Sequence, residues 1–117
     1  MVDRNSNSAE GSVLEMDKNS YYFDMAQFGS ILSGRDEGLL AYNQLNNLLS
    51  KLPKSTILSI DVSRVQILNP SFADETIGTL LINYPGRVEV AGEPSLPVKK
   101  SLETVEESRG VHIPFTR

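Results

Sequence analysis

The chain has 117 residues, which is the size of one domain with a hydrophobic core of its own. Its formal charge is −4, and the 11 lysines and arginines are dispersed without a continuous basic stripe, which argues against a nucleic-acid partner. The lack of cysteine excludes disulfide bonds, a thiol nucleophile and cysteine-ligated metal centres, and it fits a reducing compartment.

No apolar run reaches the roughly 18 residues needed to cross a bilayer, and the first residues are polar. We therefore expect neither a membrane segment nor a signal peptide, and we predict a cytoplasmic protein. Residues 1–10 are rich in serine and asparagine and lack apolar periodicity, which predicts a disordered tail. The folded domain is expected over residues 11–117.

The predicted elements begin with a short strand over residues 12–17. Residues 21–28 are rich in aromatic side chains, and their pattern leaves open an edge strand or an extended connection. Residues 33–52 show a helical stripe, which a capping-box spacing at Ser33 opens and Pro53 ends. The residues of this stripe are Gly38, Ala41, Leu45, Leu48 and Leu52.

The second half of the chain continues this alternation of strands and helices. Residues 56–62 form a nearly continuous apolar run, which predicts a buried central strand. Residues 87–91 alternate as a short strand, residues 96–108 have helical spacing up to Gly110, and residues 111–115 are a candidate edge strand. The pattern predicts an α/β fold with helices mainly on one face of a sheet.

The most informative stretch, residues 67–81, runs from the end of an apolar strand into a helix. Asn69 suits the N-cap and Pro70 suits the first helical position, while Asp74 and Glu75 complement the positive end of the helix dipole. Ser71 therefore lies in a first turn that favours a nearby anion. A phosphate attached to Ser71 would be tolerated there.

The predicted helix after Ser71 is interrupted by a glycine. Its apolar positions recur at helical spacing, and Pro85 with Gly86 ends it; these positions are Ala73, Ile77, Leu80, Leu81 and Tyr84. Gly78 costs about 1 kcal/mol relative to alanine inside a helix. Its presence favours a close approach of the helix backbone to the sheet, and simple tolerance of the glycine is the alternative that stays open.

Residues 71–80 read Ser-Phe-Ala-Asp-Glu-Thr-Ile-Gly-Thr-Leu. This segment resembles the Ser-Phe-Leu-Asp-Glu-Ala-Phe-Gly-Gly-Leu signature of the STAS-like domains, which are relatives of the bacterial anti-sigma factor antagonists and of the cytoplasmic domain of sulphate transporters. The resemblance covers most of the chain, and the signature is preceded by a strand matching residues 61–65, Asp-Val-Ser-Arg-Val. It implies a two-layer mixed sheet of about four to five strands, with about three to four helices mainly on one face.

In the better-understood antagonists the corresponding junction reads Asp-Ser-Ser-Gly, and a partner anti-sigma kinase phosphorylates the second serine. That serine corresponds to Ser71, and Asn69 stands at the aspartate position. Pro70 and Phe72 depart from the pattern, since they replace the other serine and the glycine. The resemblance implies a regulatory protein–protein interaction domain with Ser71 as phosphoacceptor and a histidine-kinase-like ATPase as partner.

The residues expected to contact this partner are Asn69, Phe72, Asp74 and Glu75. The unmodified surface would dock, and a phosphate adding about −1.5 to −2 charge would disturb the interface. Asp74 and Glu75 would add repulsion if they line the same rim. Self-association as a homodimer is a further expectation.

Two other classes of function stay open. In the first, the chain is a constitutive adaptor or oligomerisation module that is not phosphorylated. In the second, it is a small enzyme or ligand-binding domain. Because His112 is the sole histidine and the adjacent carboxylates do not converge, we predict no enzymatic activity, no metal and no cofactor. Asp61 is the best candidate for an acid or metal role, although bonds to turn amides are favoured for it. A further open alternative is that Phe72 packs into the core at the start of the helix and that Ser71 has only a structural role there.

Overall fold

The computed structural model describes residues 19–116 of the chain. The predicted disordered tail over residues 1–10 and the predicted strand over residues 12–17 lie outside the described residues.

Six strands are arranged in two sheets. In chain order they are β1 (Ser20–Asp24), β2 (Ile31–Leu32), β3 (Ile57–Asp61), β4 (Ile67–Leu68), β5 (Val88–Ala91) and β6 (Phe115–Thr116). The main sheet has the order β1-β3-β5-β6, and β2 pairs with β4 in a separate two-stranded sheet. Every pairing within residues 19–116 is parallel, so no antiparallel pair of the expected mixed sheet lies in this part of the chain.

The helical segments alternate with these strands. They are a 3₁₀ turn (Met25–Phe28), α1 (Arg35–Lys51), α2 (Pro70–Ala73), a π-helical turn (Asp74–Gly78), α3 (Thr79–Asn83) and α4 (Leu96–Arg109). The segments α2, the π-helical turn and α3 follow one another without a break, and we call residues 70–83 the Ser71 helix. The predicted α/β fold is confirmed. None of the helices in residues 19–116 combines the length and apolar character that a bilayer crossing requires.

The central strand β3 joins the sheet to the helices. Leu58 and Ile60 are fully buried and belong to the same hydrophobic cluster as Leu45 and Leu49 of α1. Because strand side chains alternate between faces, the residues between them point to the other side of the sheet. On that side Tyr22 of β1, the partner of Ser59 in the sheet, is exposed, whereas Ser59 itself is buried.

Two local predictions change in the structure. Residues 21–28, which the pattern left ambiguous, divide into the end of β1 and the 3₁₀ turn, with Asp24 accepting the Ala26 N–H at 3.0 Å. The predicted capping box at Ser33 is not formed, because the N-cap of α1 is Gly34 and no side chain caps it. Gly34 has φ of 92°, a conformation that glycine adopts without strain.

Candidate functional site

The Ser71 helix begins at a turn that is tied to β2 through the backbone. The Asn69 N–H donates to the Leu32 carbonyl at 2.8 Å. The Asn69 side chain caps the helix by accepting a hydrogen bond from the Ser71 N–H at 3.4 Å, and Pro70 occupies the first helical position. The cap and the proline position predicted from the sequence are both confirmed.

The Ser71 side chain is half-buried, and its hydroxyl takes part in an exposed hydrogen bond. Oγ donates to Asn69 Oδ1 at 3.4 Å, well beyond the about 2.7–2.8 Å that O–H···O bonds prefer. The same Asn69 oxygen accepts from both the backbone N–H and the hydroxyl of Ser71. The hydroxyl is therefore weakly held and lies where another molecule can reach it.

Phe72, the next residue, points the other way. Its side chain is 2% exposed and is among the largest fully buried side chains of the core. Almost none of its surface is accessible beside Ser71, which corrects its expected role as a partner contact there. The structure instead supports the alternative in which Phe72 anchors the start of the helix to the core.

Two arginines from distant parts of the chain hold Asp74. Arg35 Nη1 donates to Asp74 Oδ2 at 3.0 Å and to Glu75 Oε2 at 3.1 Å, while Arg109 Nε donates to Asp74 Oδ1 at 2.8 Å. The Arg35 side chain is 58% exposed, whereas that of Arg109 is 26% exposed. These contacts, which we call the Asp74 clamp, join α1, the Ser71 helix and α4.

The clamp sets the ionisation of its members. Burial alone would raise the pKa of the Asp74 carboxyl, but hydrogen bonds from Arg109 and Arg35 outweigh it and hold that pKa below its usual value. The hydrogen bonds to Asp74 and then to Glu75 raise the pKa of the Arg35 guanidinium. Asp74 and Glu75 were expected to repel a phosphate on Ser71, but both carboxylates are already paired with arginine side chains.

The helix widens into a π-helical turn at the clamp. The Thr79 N–H donates to the Asp74 carbonyl, and Arg109 Nη2 donates to the same oxygen at 3.3 Å. Single π turns are rare and are found often at functional sites. Here the Asp74 carbonyl accepts from both the backbone and the Arg109 guanidinium.

α1 meets the Ser71 helix backbone to backbone at Gly38. A methyl group on Gly38 would lie 2.7 Å from the Phe72 carbonyl oxygen and 3.0 Å from Glu75 Cβ. Thr76 Oγ1 lies 3.0 Å from the Gly38 carbonyl oxygen and 2.8 Å from that of Phe72, so its proton is shared between them. The turn that presents Ser71 is therefore fixed from behind.

Gly78 marks a close approach, but to a different neighbour than expected. A Cβ atom there would lie 3.3 Å from Val105 Cγ1 and 3.5 Å from Arg109 Nε, both on α4. The prediction that Gly78 approaches the sheet is wrong. The glycine instead leaves room for the arginine of the Asp74 clamp.

Asp61, the candidate for an acid or metal role, is occupied by its own turn. Its Oδ1 accepts hydrogen bonds from the Ser63 N–H at 2.8 Å and from Ser63 Oγ at 2.7 Å, as the favoured interpretation predicts. A Cβ atom on Gly92 would collide with the same carboxylate. Partial desolvation and the nearby Asp61 raise the pKa of the Tyr22 phenol.

The rest of the described chain offers little chemistry. His112 is exposed, and its Nδ1 lies 3.5 Å from Glu106 Oε2, beside a cavity of about 350 Å³ at the carboxyl end of β5. Within residues 19–116, no three histidine, cysteine, aspartate or glutamate side chains are grouped as metal ligands.

Sequence reasoning missed the residues that hold the site in place. Arg35 and Arg109 lie 39 and 35 residues from Asp74, so no local spacing pairs them. Thr76 gave no signal in the pattern, although a glycine within the apolar stripe of α1 could have pointed to the close contact at Gly38.

Comparison of the chain with protein-family models, with curated proteins and with solved structures finds no match. The STAS-like resemblance therefore stays a prediction that rests on the residues of the motif.

Proposed function

We propose that this chain is a cytoplasmic STAS-like regulatory domain, without enzymatic activity, that docks onto a protein partner through the surface around Ser71. In this proposal Ser71 is the phosphoacceptor, and the partner is a histidine-kinase-like ATPase. The observation that carries the proposal is the weakly bonded Ser71 hydroxyl at an exposed strand–helix junction.

The burial of Phe72 supports access to this hydroxyl. In the antagonists that the motif resembles, a glycine follows the phosphorylated serine, and a bulky residue there would obstruct a kinase if it covered the serine. Phe72 is turned into the core instead. A kinase that approaches Ser71 would meet the exposed Asn69 and the half-buried Glu75 rather than an aromatic ring.

The charges around Ser71 suggest how a phosphate would change the surface. Glu75 follows Ser71 by four residues, so the two side chains project from the same side of the helix. A phosphate on Ser71 would repel Glu75 and compete with it for the exposed Arg35. Asp74 would keep its shorter bond to Arg109.

Phosphorylation would therefore rearrange surface charge without unfolding the helix. The unmodified surface carries a neutral hydroxyl and a paired Glu75, whereas the phosphorylated surface carries additional negative charge. A partner that fits the first surface would have to desolvate that charge to bind the second. Association would then depend on the phosphorylation state of Ser71.

The direct experiment is to incubate the purified chain with ATP and an anti-sigma-kinase-type ATPase encoded beside it, and to map modified residues by mass spectrometry. We expect a phosphate on Ser71 and none in the Ser71→Ala variant. Ser55→Ala, which changes an exposed loop serine elsewhere, should be modified like the wild type. Modification at other residues alone, or none, would favour the constitutive adaptor.

A further inference from the structure

A groove separates α1 from the 3₁₀ turn and β2, and its volume is about 470 Å³. Its wall on the side of the 3₁₀ turn and β2 includes Gln27, Phe28 and Ile31, and its wall on α1 includes Glu37, Leu40 and Gln44. Ser71 does not line it, although the buried Phe72 does. The groove is thus a surface separate from the phosphoacceptor proposed above.

Each wall of this groove carries one exposed aliphatic side chain. Ile31 is 62% exposed and Leu40 is 58% exposed, and both line it. Ile67, also exposed, pairs directly with Ile31 across β2 and β4. Single exposed aliphatic residues are ordinary on protein surfaces, but two on facing walls of one groove are placed to contact an apolar side chain that enters it.

The α1 wall of the groove begins at two exposed carboxylates, of which Glu37 lines the groove and Asp36 precedes it in the chain. Asp36 and Glu37 are exposed in the first turn of α1, and neither forms an ion pair with any residue between 19 and 116. The nearest arginine in the sequence, Arg35, is engaged with Asp74 and Glu75. A positively charged group that arrives at this end meets two free carboxylates.

We propose that the groove binds a short amphipathic segment of another protein, with aliphatic side chains that contact Ile31 and Leu40 and a lysine or arginine that faces Asp36 and Glu37. Charge complementarity selects a basic segment over an acidic one. The small size of the groove favours a short segment over a domain-sized surface, which needs on the order of 800 Å² from each partner. Binding here does not require that Ser71 be phosphorylated.

The test begins with a library of random linear peptides, displayed on phage and selected against the immobilised chain. We expect the enriched sequences to combine aliphatic residues with lysine or arginine. The leading sequence is then synthesised, and its affinity is measured by fluorescence polarisation at low and high salt. The affinity should fall as salt rises, because part of it comes from exposed charges.

Variants of exposed residues locate the bound peptide without threatening the fold. Leu40→Ser and Ile31→Ser should each weaken binding by about tenfold, since each removes an apolar contact. Glu37→Lys should weaken binding and reduce its salt dependence. The matched controls are Ile82→Ser on α3, whose side chain is 50% exposed, and Glu107→Lys on α4, and both should bind like the wild type.

Three outcomes would overturn this proposal. They are a selection that enriches no sequence, a selection that enriches acidic or wholly polar sequences, and a peptide whose affinity survives both Leu40→Ser and Ile31→Ser. If the enriched sequence matches a segment of this chain and the variants abolish self-association, the groove is an interface between copies, which also contradicts a separate partner. None of these results bears on phosphorylation of Ser71.

Discussion

Two turns in this fold follow strands in a similar way, yet their polar side chains are used differently. At the end of β3, Asp61 accepts two short hydrogen bonds from Ser63, and Gly92 closes over its carboxylate. At the start of the Ser71 helix, Asn69 makes two bonds of 3.4 Å to Ser71. The first turn consumes its polar groups in holding the chain, whereas the second leaves a hydroxyl available. This contrast, rather than the motif alone, places the candidate function at Ser71.

The largest expected effect is a difference in stability between variants of two adjacent residues in the second turn, Phe72 and Ser71. Phe72→Ala should lower the free energy of unfolding by about 3–5 kcal/mol, because it empties a filled site in the core. Ser71→Ala should change it by less than about 0.5 kcal/mol, because the hydroxyl makes only a long bond. Chemical denaturation of both variants measures this difference. Similar losses from the two substitutions would mean that Ser71 is a structural residue.

A second prediction tests how tightly the Asp61 turn is closed. Gly92→Ala should lower the free energy of unfolding by about 2–3 kcal/mol, because φ is 87° at this glycine and the new methyl group would collide with the Asp61 carboxylate. Gly86→Ala is the matched control, since φ is 79° and nothing lies within 4 Å. It should cost about 1 kcal/mol from backbone strain alone. Thermal denaturation measures both variants. Equal losses of stability would show that the Asp61 turn can accommodate a methyl group at position 92.

The third prediction concerns pH and the Asp74 clamp. Asp74→Asn should destabilise the fold by about 1–2 kcal/mol at neutral pH, since it weakens partly buried ion pairs. Because the pKa of Asp74 is lower in the folded chain than its unfolded value of about 3.9, its ionised form stabilises the fold above that value. The stabilisation is lost as pH falls through the folded pKa.

The difference in unfolding free energy between wild type and Asp74→Asn should therefore shrink as denaturation is repeated from neutral to strongly acidic pH. A difference that stays constant or grows on acidification would contradict the assigned role of the clamp.

The smallest expected effect is the difference in stability between variants of the two arginines in the Asp74 clamp. Arg35→Gln should lower the free energy of unfolding only slightly, because its ion pairs are largely exposed. Arg109→Gln should cost more, because it is less exposed and also donates to the Asp74 carbonyl. Urea denaturation at neutral pH ranks them. A larger loss from Arg35→Gln would rule out Arg35 as the exchangeable partner for a phosphate.

Local patterns predicted those parts of the fold that depend on neighbours in sequence. The apolar stripe of α1, the run of β3 and the Asn69 cap could be predicted because periodicity and capping act over a few residues. The strand end at Ile67–Leu68 (β4) was also predicted, whereas the two-residue strand β2 is too short to leave such a pattern.

The candidate site was predicted only in part, for a related reason. Ser71 and its cap are local, but the Asp74 clamp joins three helices through side chains that are distant in sequence. The glycine at 78 signalled a close contact without saying which element makes it, and α4 proved to be the neighbour. Tertiary packing, rather than propensity, decides such contacts.

The central claim is that a partner senses the chemical state of the Ser71 hydroxyl. Its most direct test is calorimetric titration of an anti-sigma-kinase-type ATPase from the same organism with three forms of the chain: wild type, Ser71→Ala, and protein carrying genetically encoded phosphoserine at position 71. Phosphoserine at position 55 controls for added charge. We predict that wild type and Ser71→Ala bind alike, whereas phosphoserine at position 71 alone weakens binding at least about tenfold. Equal affinity of all four proteins would contradict the account.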